Sequence, residues 1–299
     1  MSKDIVKPLA LITAFRGVST SILMTFLPVY AVSIGIPLPD VGTMSAIAMG
    51  VSVLAMPFIG MAVDFLGRKT VLTISTTTLM IAPLIPIIYR NYLGVLTAYI
   101  LFNLALNTWV PARAVTVATS VNKEVMGLSF ALVSLSFQVA RSIVPYIAGL
   151  LIRSYGYLIT FTISAITAGS ALPIILLTIP ESRSGTTLTI KEFIRGVIPK
   201  RDELGFQVFL CVDRSGWRLW IPILNSYMKV KLGFSEDIIG LLELGRTYAR
   251  CNFYRSVAAV PTPWIGGMLY NIIPTLPMVA GAILILANLG ILKVFVKTR

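Results

Sequence analysis

Apolar stretches of membrane-spanning length recur along this chain, and that recurrence limits its fold more than any other feature. A helix needs about 20 apolar residues to cross a bilayer. Such stretches run Pro8–Ile36, Val41–Val63, Thr70–Ile88, Leu93–Ala112, Met126–Ile152 and Leu158–Ile179, with Gly, Pro, Asn or charge in the breaks. The first is too long for a signal-peptide core and precedes no small-residue cleavage site, so it reads as an uncleaved span. Phe206–Met228, Ala258–Ile273 and Leu276–Val296 follow. Leu232–Arg255 is ambiguous, because only Ile238–Leu244 is strongly apolar and Glu236, Asp237, Glu243, Arg246 and Arg250 surround it. The expected fold class is all-α and polytopic, with about nine or ten spans.

Composition narrows the function classes. Charged residues make up 12% of the 299 positions, against about 25% in soluble domains. Mean hydropathy is +0.86. A soluble enzyme, a nucleic-acid-binding domain and a disordered chain are therefore excluded. The net charge of +13 then reads as a positive-inside bias and attraction to anionic lipid, with membrane lipid as a partner and no nucleic acid. Cys211 and Cys251 have neither metal spacing nor a disulfide framework, and the chain has no histidine. No ATP-binding loop, metal cluster or nucleophile–base arrangement is found within the spans, so neither a cofactor, a metal nor an enzyme activity is expected.

Lysine and arginine set the orientation. With the N-terminus inside, the inner loops hold Lys3, Lys7, Arg68, Lys69 and Lys123, and the central stretch adds Arg183, Lys191, Arg195, Lys200 and Arg201. The outer loops of the first half hold only Arg90 and Arg153. A multi-pass protein of the plasma membrane with a cytoplasmic N-terminus is expected. The polar stretch 181–204 divides a six-helix bundle at 1–180 from a shortened one at 205–299. It reads equally as a basic amphipathic helix in the interface and as a solvated linker.

The chain also repeats itself. Gly35-Ile-Pro-Leu-Pro-Asp-Val-Gly42 matches Gly233-Phe-Ser-Glu-Asp-Ile-Ile-Gly240, and Arg141-Ser-Ile with Pro145 and Gly149 matches Arg255-Ser-Val with Pro261 and Gly267. Gly42 and Gly240 lie 198 positions apart, whereas Arg141 and Arg255 lie 114 apart. The difference of 84 residues corresponds to about three missing spans between Gly240 and Arg255. Losing three spans would invert the last two unless 235–250 crosses as a hybrid helix.

The loop after the second span reads Gly60-Met-Ala-Val-Asp64-Phe-Leu-Gly67-Arg68-Lys69. Its glycines permit a tight turn and close helix approach, and its cations hold the loop at the cytoplasmic face. This resembles the signature between helices 2 and 3 of the major facilitator superfamily, with Phe65 where a basic residue is usual. Pro180-Glu181-Ser182 resembles residues after the family's helix 6, and Arg246 to Tyr270 resembles its eleventh helix. The antiporter signature on helix 5 is poorly kept, with Pro145 and Gly149 but without the preceding glycines. The resemblance implies two helical bundles rocking about a central cavity, with Gly60, Asp64, Gly67, Arg68 and Lys69 as a gating loop. It implies a permease for a small-molecule solute. The second bundle lacks most of helices 8 to 10, so a transport-inactive remnant, or a subunit completed by homo-oligomerisation, is the alternative.

Ionisable and amide groups within spans are functional candidates, because burying a charge there costs about 2.5–3.5 kcal/mol. Thr13, Arg16 and Thr20 share a helical stripe, as do Ser134, Gln138, Arg141 and Pro145. Asn103, Asn107 and Arg113 lie on the fourth span, and Asp213 and Arg214 on the seventh. These residues are expected to line a polar path for an anionic or polar solute. For Arg16 and Arg113, snorkelling or structural pairing is an equal reading. Asp213 is the first candidate for proton coupling and Glu243 the second. A static pair of Asp213 with a nearby arginine is the competing reading.

Overall fold

The computed structural model describes residues 5–181, 223–244 and 272. Residues 5–181 and 223–244 belong to one unit. Every element among the described residues is helical, and the predicted first six spans are all present. They are α1 (Val6–Ser33), α2 (Leu38–Leu66), α3 (Arg68–Ile81) with its continuation α4 (Ile85–Ile88), α5 (Tyr92–Ser120) and α6 (Lys123–Thr178). Two further helices, α7 (223–230) and α8 (Glu236–Leu244), pack onto them. The predicted spans at 205–222 and 258–296, and the linker at 182–204, lie outside the described residues.

The apolar part of α6, Val125–Thr178, is 54 residues long. A straight helix of that length would reach about 80 Å, far beyond a hydrocarbon core of about 30 Å. Gly156 resolves this with φ 80° and ψ 174°, a conformation that side chains with a Cβ avoid. The chain doubles back there. Val133 shares a core with Ala171 and Ile175, and Ala148 and Ile152 share another with Phe161 and Ala168. The two arms of α6 are thus two crossings.

The two cores sit at opposite ends of the bundle. At one end Ile5, Leu9 and Ile12 meet Val71, Trp109 and Ile175. At the other, called here the far end, Phe26, Leu27 and Tyr30 meet Leu79, Tyr99 and Phe161. Helix α1 is the axis of both. Gly17 allows its approach to the first arm of α6, since a Cβ there would lie 2.9 Å from that of Ala140. Ser19 and Ser164 join it to the second arm, oxygen to oxygen at 2.9 Å. Helix α2, in contrast, has only 17% of its apolar window buried, leaving a broad apolar face for lipid or for other parts of the chain. Pro28, Pro57, Pro111, Pro145 and Pro173 all lie inside helices. Neighbouring helices make such breaks tolerable in a membrane bundle.

The repeat found in the sequence is visible as structure. Gly35 ends α1 with φ 92°, and Gly233 ends α7 with φ 67°. Each then leads through a short turn into the next helix, α2 or α8.

Candidate functional site

Three groups of residues are candidates for functional chemistry: a buried arginine, a basic turn and a polar clasp.

Arg16 lies mid-bundle and is 2% exposed. It donates through Nη1 to Thr76 Oγ1 at 2.7 Å, and through Nη2 to Ser75 Oγ at 3.1 Å and the Ala105 carbonyl at 3.3 Å. Its guanidinium stands 4.1 Å over the Trp109 ring, within cation–π range. One side chain therefore ties α1 to α3 and α5. All of its described acceptors are neutral, and its Nε has no partner among the described residues. Arg113 lies one turn beyond Trp109 on the same face of α5 and is half-buried, and its Nε is also unpartnered among them.

The other predicted path residues are dispersed. Asn103 is half-buried and donates to the Tyr99 carbonyl at 2.9 Å, one turn back in its own helix. Asn107 is half-buried, while Gln138 and Arg141 are exposed on the first arm of α6. Thr13 is buried and donates back to the Leu9 carbonyl. Asp213 and Arg214 lie outside the described residues.

The Gly60–Lys69 turn is short because Gly67 is both the end of α2 and the residue before α3, with φ 86°. Its carbonyl accepts the first α3 hydrogen bond, from Val71 at 3.1 Å. Arg68 donates to Thr119 Oγ1, in the last turn of α5. The turn therefore pins three helices at one end. Asp64 lies in the last turn of α2, and its side chain lies outside the described residues. Lys69 is half-buried and contributes its carbonyl to Thr73 Oγ1 at 2.9 Å.

The clasp lies at the far end, where α8 docks on α6. Arg153 Nη1 meets Asp237 Oδ2 at 2.7 Å, and Lys229 Nζ meets Glu236 Oε1 at 2.8 Å. Tyr157 donates its hydroxyl to the same Glu236 oxygen at 3.0 Å. Glycines bring the backbones together beneath these charges. A Cβ on Gly149 would lie 2.9 Å from Asp237 Cα, and one on Gly240 would lie 2.8 Å from the Pro145 carbonyl carbon. Asn225 of α7 adds a bond to the Thr25 carbonyl of α1 at 3.1 Å.

A model of the family described as Major Facilitator Superfamily matches residues 9–298. The chain belongs to the major facilitator superfamily. It is a multi-pass membrane transporter of all-α fold, shortened relative to typical members of that superfamily. No curated protein matches the chain.

Within this facilitator the clasp is the part that sequence reasoning missed. Lys229 offends the positive-inside pattern, and Glu236 and Asp237 look like obstacles to a span. The signal was their combination: opposite charges on the two sides of the Gly233 turn, with two acids in the first turn of α8, where a helix dipole favours them.

The clasp has a pH dependence of definite sign. Partial burial works against the Glu236 charge, but hydrogen bonds from Lys229 and Tyr157 outweigh it and hold the carboxyl below its ordinary value. A hydrogen bond from Ser235, then one from Arg153, does the same for Asp237. Lowered folded-state values mean that the stabilisation is complete above the ordinary carboxylate range and is lost as pH falls through it. Arg153 is 66% exposed, so its pair with Asp237 is worth only about 0.2–1 kcal/mol. Hydrogen exchange should show α8 amide protection, corrected for intrinsic rates, falling roughly 2- to 5-fold between about pH 6 and pH 3.5. In Glu236→Gln with Asp237→Asn the step should vanish.

Proposed function

We propose that this facilitator is a secondary transporter that carries a small solute by alternating access, with its two halves rocking about a path lined by helices of both. The clasp is the observation that supports this reading. It joins the first six crossings to the start of the second half at one end, through the Arg153–Asp237 ion pair, the Tyr157–Glu236 hydrogen bond and a close glycine contact. Such a contact holds one end shut while remaining weak enough to part in each cycle. The far end is the outer side, because Lys7, Arg68, Lys69 and Lys123 gather at the other. On this reading the N-terminus is cytoplasmic and the membrane is the plasma membrane. Residues 1–180 and 205–299 form the moving halves, joined by 181–204. The Gly60–Lys69 turn gates the inner side. Arg16, Asn103, Asn107, Arg113, Gln138, Arg141 and Arg214 bind the solute along the path, and Asp213 takes a coupling proton.

Two experiments test the proposal with a panel of radiolabelled and fluorescent solutes. Bridging Arg153→Cys to Asp237→Cys with a short bis-maleimide, in a background lacking Cys211 and Cys251, should abolish uptake, while either single variant retains it. Asp64→Asn should lower uptake about tenfold, equivalent to about 1.4 kcal/mol on the barrier. Uptake that survives the bridge would overturn alternating access at the clasp, and uptake unchanged by Asp64→Asn would overturn the gating role.

The 84-residue offset between the two repeat matches favours a second reading, in which the chain works only as an oligomer or is transport-inactive. The mass of the purified protein in detergent separates these. A strict monomer without uptake supports the inactive form, and a dimer with uptake supports the oligomer.

A further inference from the structure

The far end of the first half contains a pocket of about 280 Å³ that the transport reading leaves unused. Tyr30 and Tyr157 form its floor, their rings 5.1 Å apart at 59°. Phe161 backs both rings, at 5.4 and 5.9 Å. Ile87 and Leu158 add apolar wall, and Arg90 is at the rim.

An accounting of hydrogen-bond donors shows what the pocket can recognise. Ser33 spends its hydroxyl proton on the Tyr30 carbonyl at 2.8 Å. Tyr30 donates to the Pro86 carbonyl at 2.7 Å, and Tyr157 to Glu236 at 3.0 Å. Arg90 uses only Nε, in a long contact of 3.4 Å to the Ile87 carbonyl. Its terminal N–H groups have no partner among the described residues. The pocket lining therefore combines one open fork of cationic donors with two tyrosine rings. The Glu236 carboxylate behind Tyr157 is neutralised by Lys229, so it does not oppose an incoming anion.

We propose that this pocket binds a small aromatic monocarboxylate, its ring on the tyrosine floor and its carboxylate on the Arg90 guanidinium. A guanidinium fork matches a carboxylate in two parallel charge-assisted bonds. Aromatic rings favour tilted and edge contacts of the kind the floor already contains. A sugar would need several open donors and acceptors, and the other hydroxyls here are committed. A cation would be repelled by Arg90. At about 280 Å³ the volume lies just under the usual range for drug-sized ligands and suits a single substituted ring.

The test is binding of benzoate to the purified full chain in neutral detergent, read by saturation-transfer NMR and calorimetry. Neither readout needs transport, so this proposal and the transport proposal fail separately. Benzoate should saturate the wild type. Arg90→Gln should weaken it about tenfold or more, as expected for losing a charge-assisted pair. Tyr157→Phe keeps the ring and should stay within roughly threefold. Benzyl alcohol, which lacks the charge, and acetate, which lacks the ring, should each bind about tenfold more weakly. Benzoate binding equally well to Arg90→Gln, or not saturating a wild type that shows its normal thermal transition, would overturn the proposal.

Discussion

Gly240→Val should detach α8 from α6 and remove transport while leaving the first six crossings folded. The reason is geometric. A Cβ at position 240 would meet backbone atoms, 2.8 Å from the Pro145 carbonyl carbon and 3.0 Å from Tyr146 Cα. Backbone cannot swing aside as the end of a long side chain can. Relief requires α8 to move, and that pulls Asp237 from Arg153 and Glu236 from Tyr157. Overpacking of a tight contact costs about 1–3 kcal/mol. That is comparable to what the exposed ion pairs and one helix face can supply, so the contact opens rather than strains. In a background lacking Cys211 and Cys251, alkylation of a cysteine placed at Ile239, a fully buried position of α8, should rise about tenfold or more in Gly240→Val over the same cysteine with Gly240 intact. The thermal midpoint of the bundle should fall only modestly, because α7 and α8 give just Met228 and Ile239 to the buried part of the far-end core. Gly42→Val is the matched control. A Cβ there meets only the flexible Ile223 Cγ2 at 3.5 Å, so it should be mild. A strong effect at Gly42 with none at Gly240 would refute the docking argument.

The second large effect concerns Arg16. Its guanidinium is buried, and its described acceptors are two hydroxyls and a carbonyl. A buried cation held by neutral groups forfeits much of its hydration energy. Removing it need not strand those groups. Ser75 also donates to the Ala105 carbonyl at 2.7 Å, and Thr76 to the Leu72 carbonyl at 2.7 Å. Arg16→Met fills similar space, so it should leave the thermal midpoint in detergent unchanged or raised. Arg16→Ala leaves a void among α1, α3 and α5 and should cost about 2–5 kcal/mol. If Arg16 also serves the solute path, Arg16→Met should lose at least about tenfold of uptake despite its intact stability. A steep fall in the midpoint of Arg16→Met, as large as that of Arg16→Ala, would make the residue a structural tie alone.

Much of the bundle was legible in hydropathy. The stretch Pro8–Ile36 appears as Val6–Ser33, Val41–Val63 as Leu38–Leu66, and the break near Gly156 separates the fifth and sixth crossings as expected. The errors have a common cause. Hydropathy ends the fourth span at Ala112, whereas α5 runs on to Ser120. Thr116 and Thr119 bond back to the carbonyls of Ala112 and Val115, so this polar turn satisfies itself and continues the helix. The Gly67–Arg68–Lys69 turn was legible because its spacing is local. The partners of Arg16 were not, because they come from three helices brought together only by packing. The clasp fell between these cases. Its charges were visible, but their pairing depends on two glycine contacts between helices distant in sequence.

The reversal at Gly156 has a practical consequence for anyone probing this protein from outside. Between the described helices, the far face offers the residues from Ile34 to Pro37, those from Tyr89 to Asn91, the hinge at Gly156 and the short turn 231–235. Among the described residues a protease or an antibody finds only short turns there. Epitopes, tags and labelling sites for that face would have to be engineered in. The hinge itself is a poor place for them, since one inserted residue would rotate the whole sixth crossing about its axis.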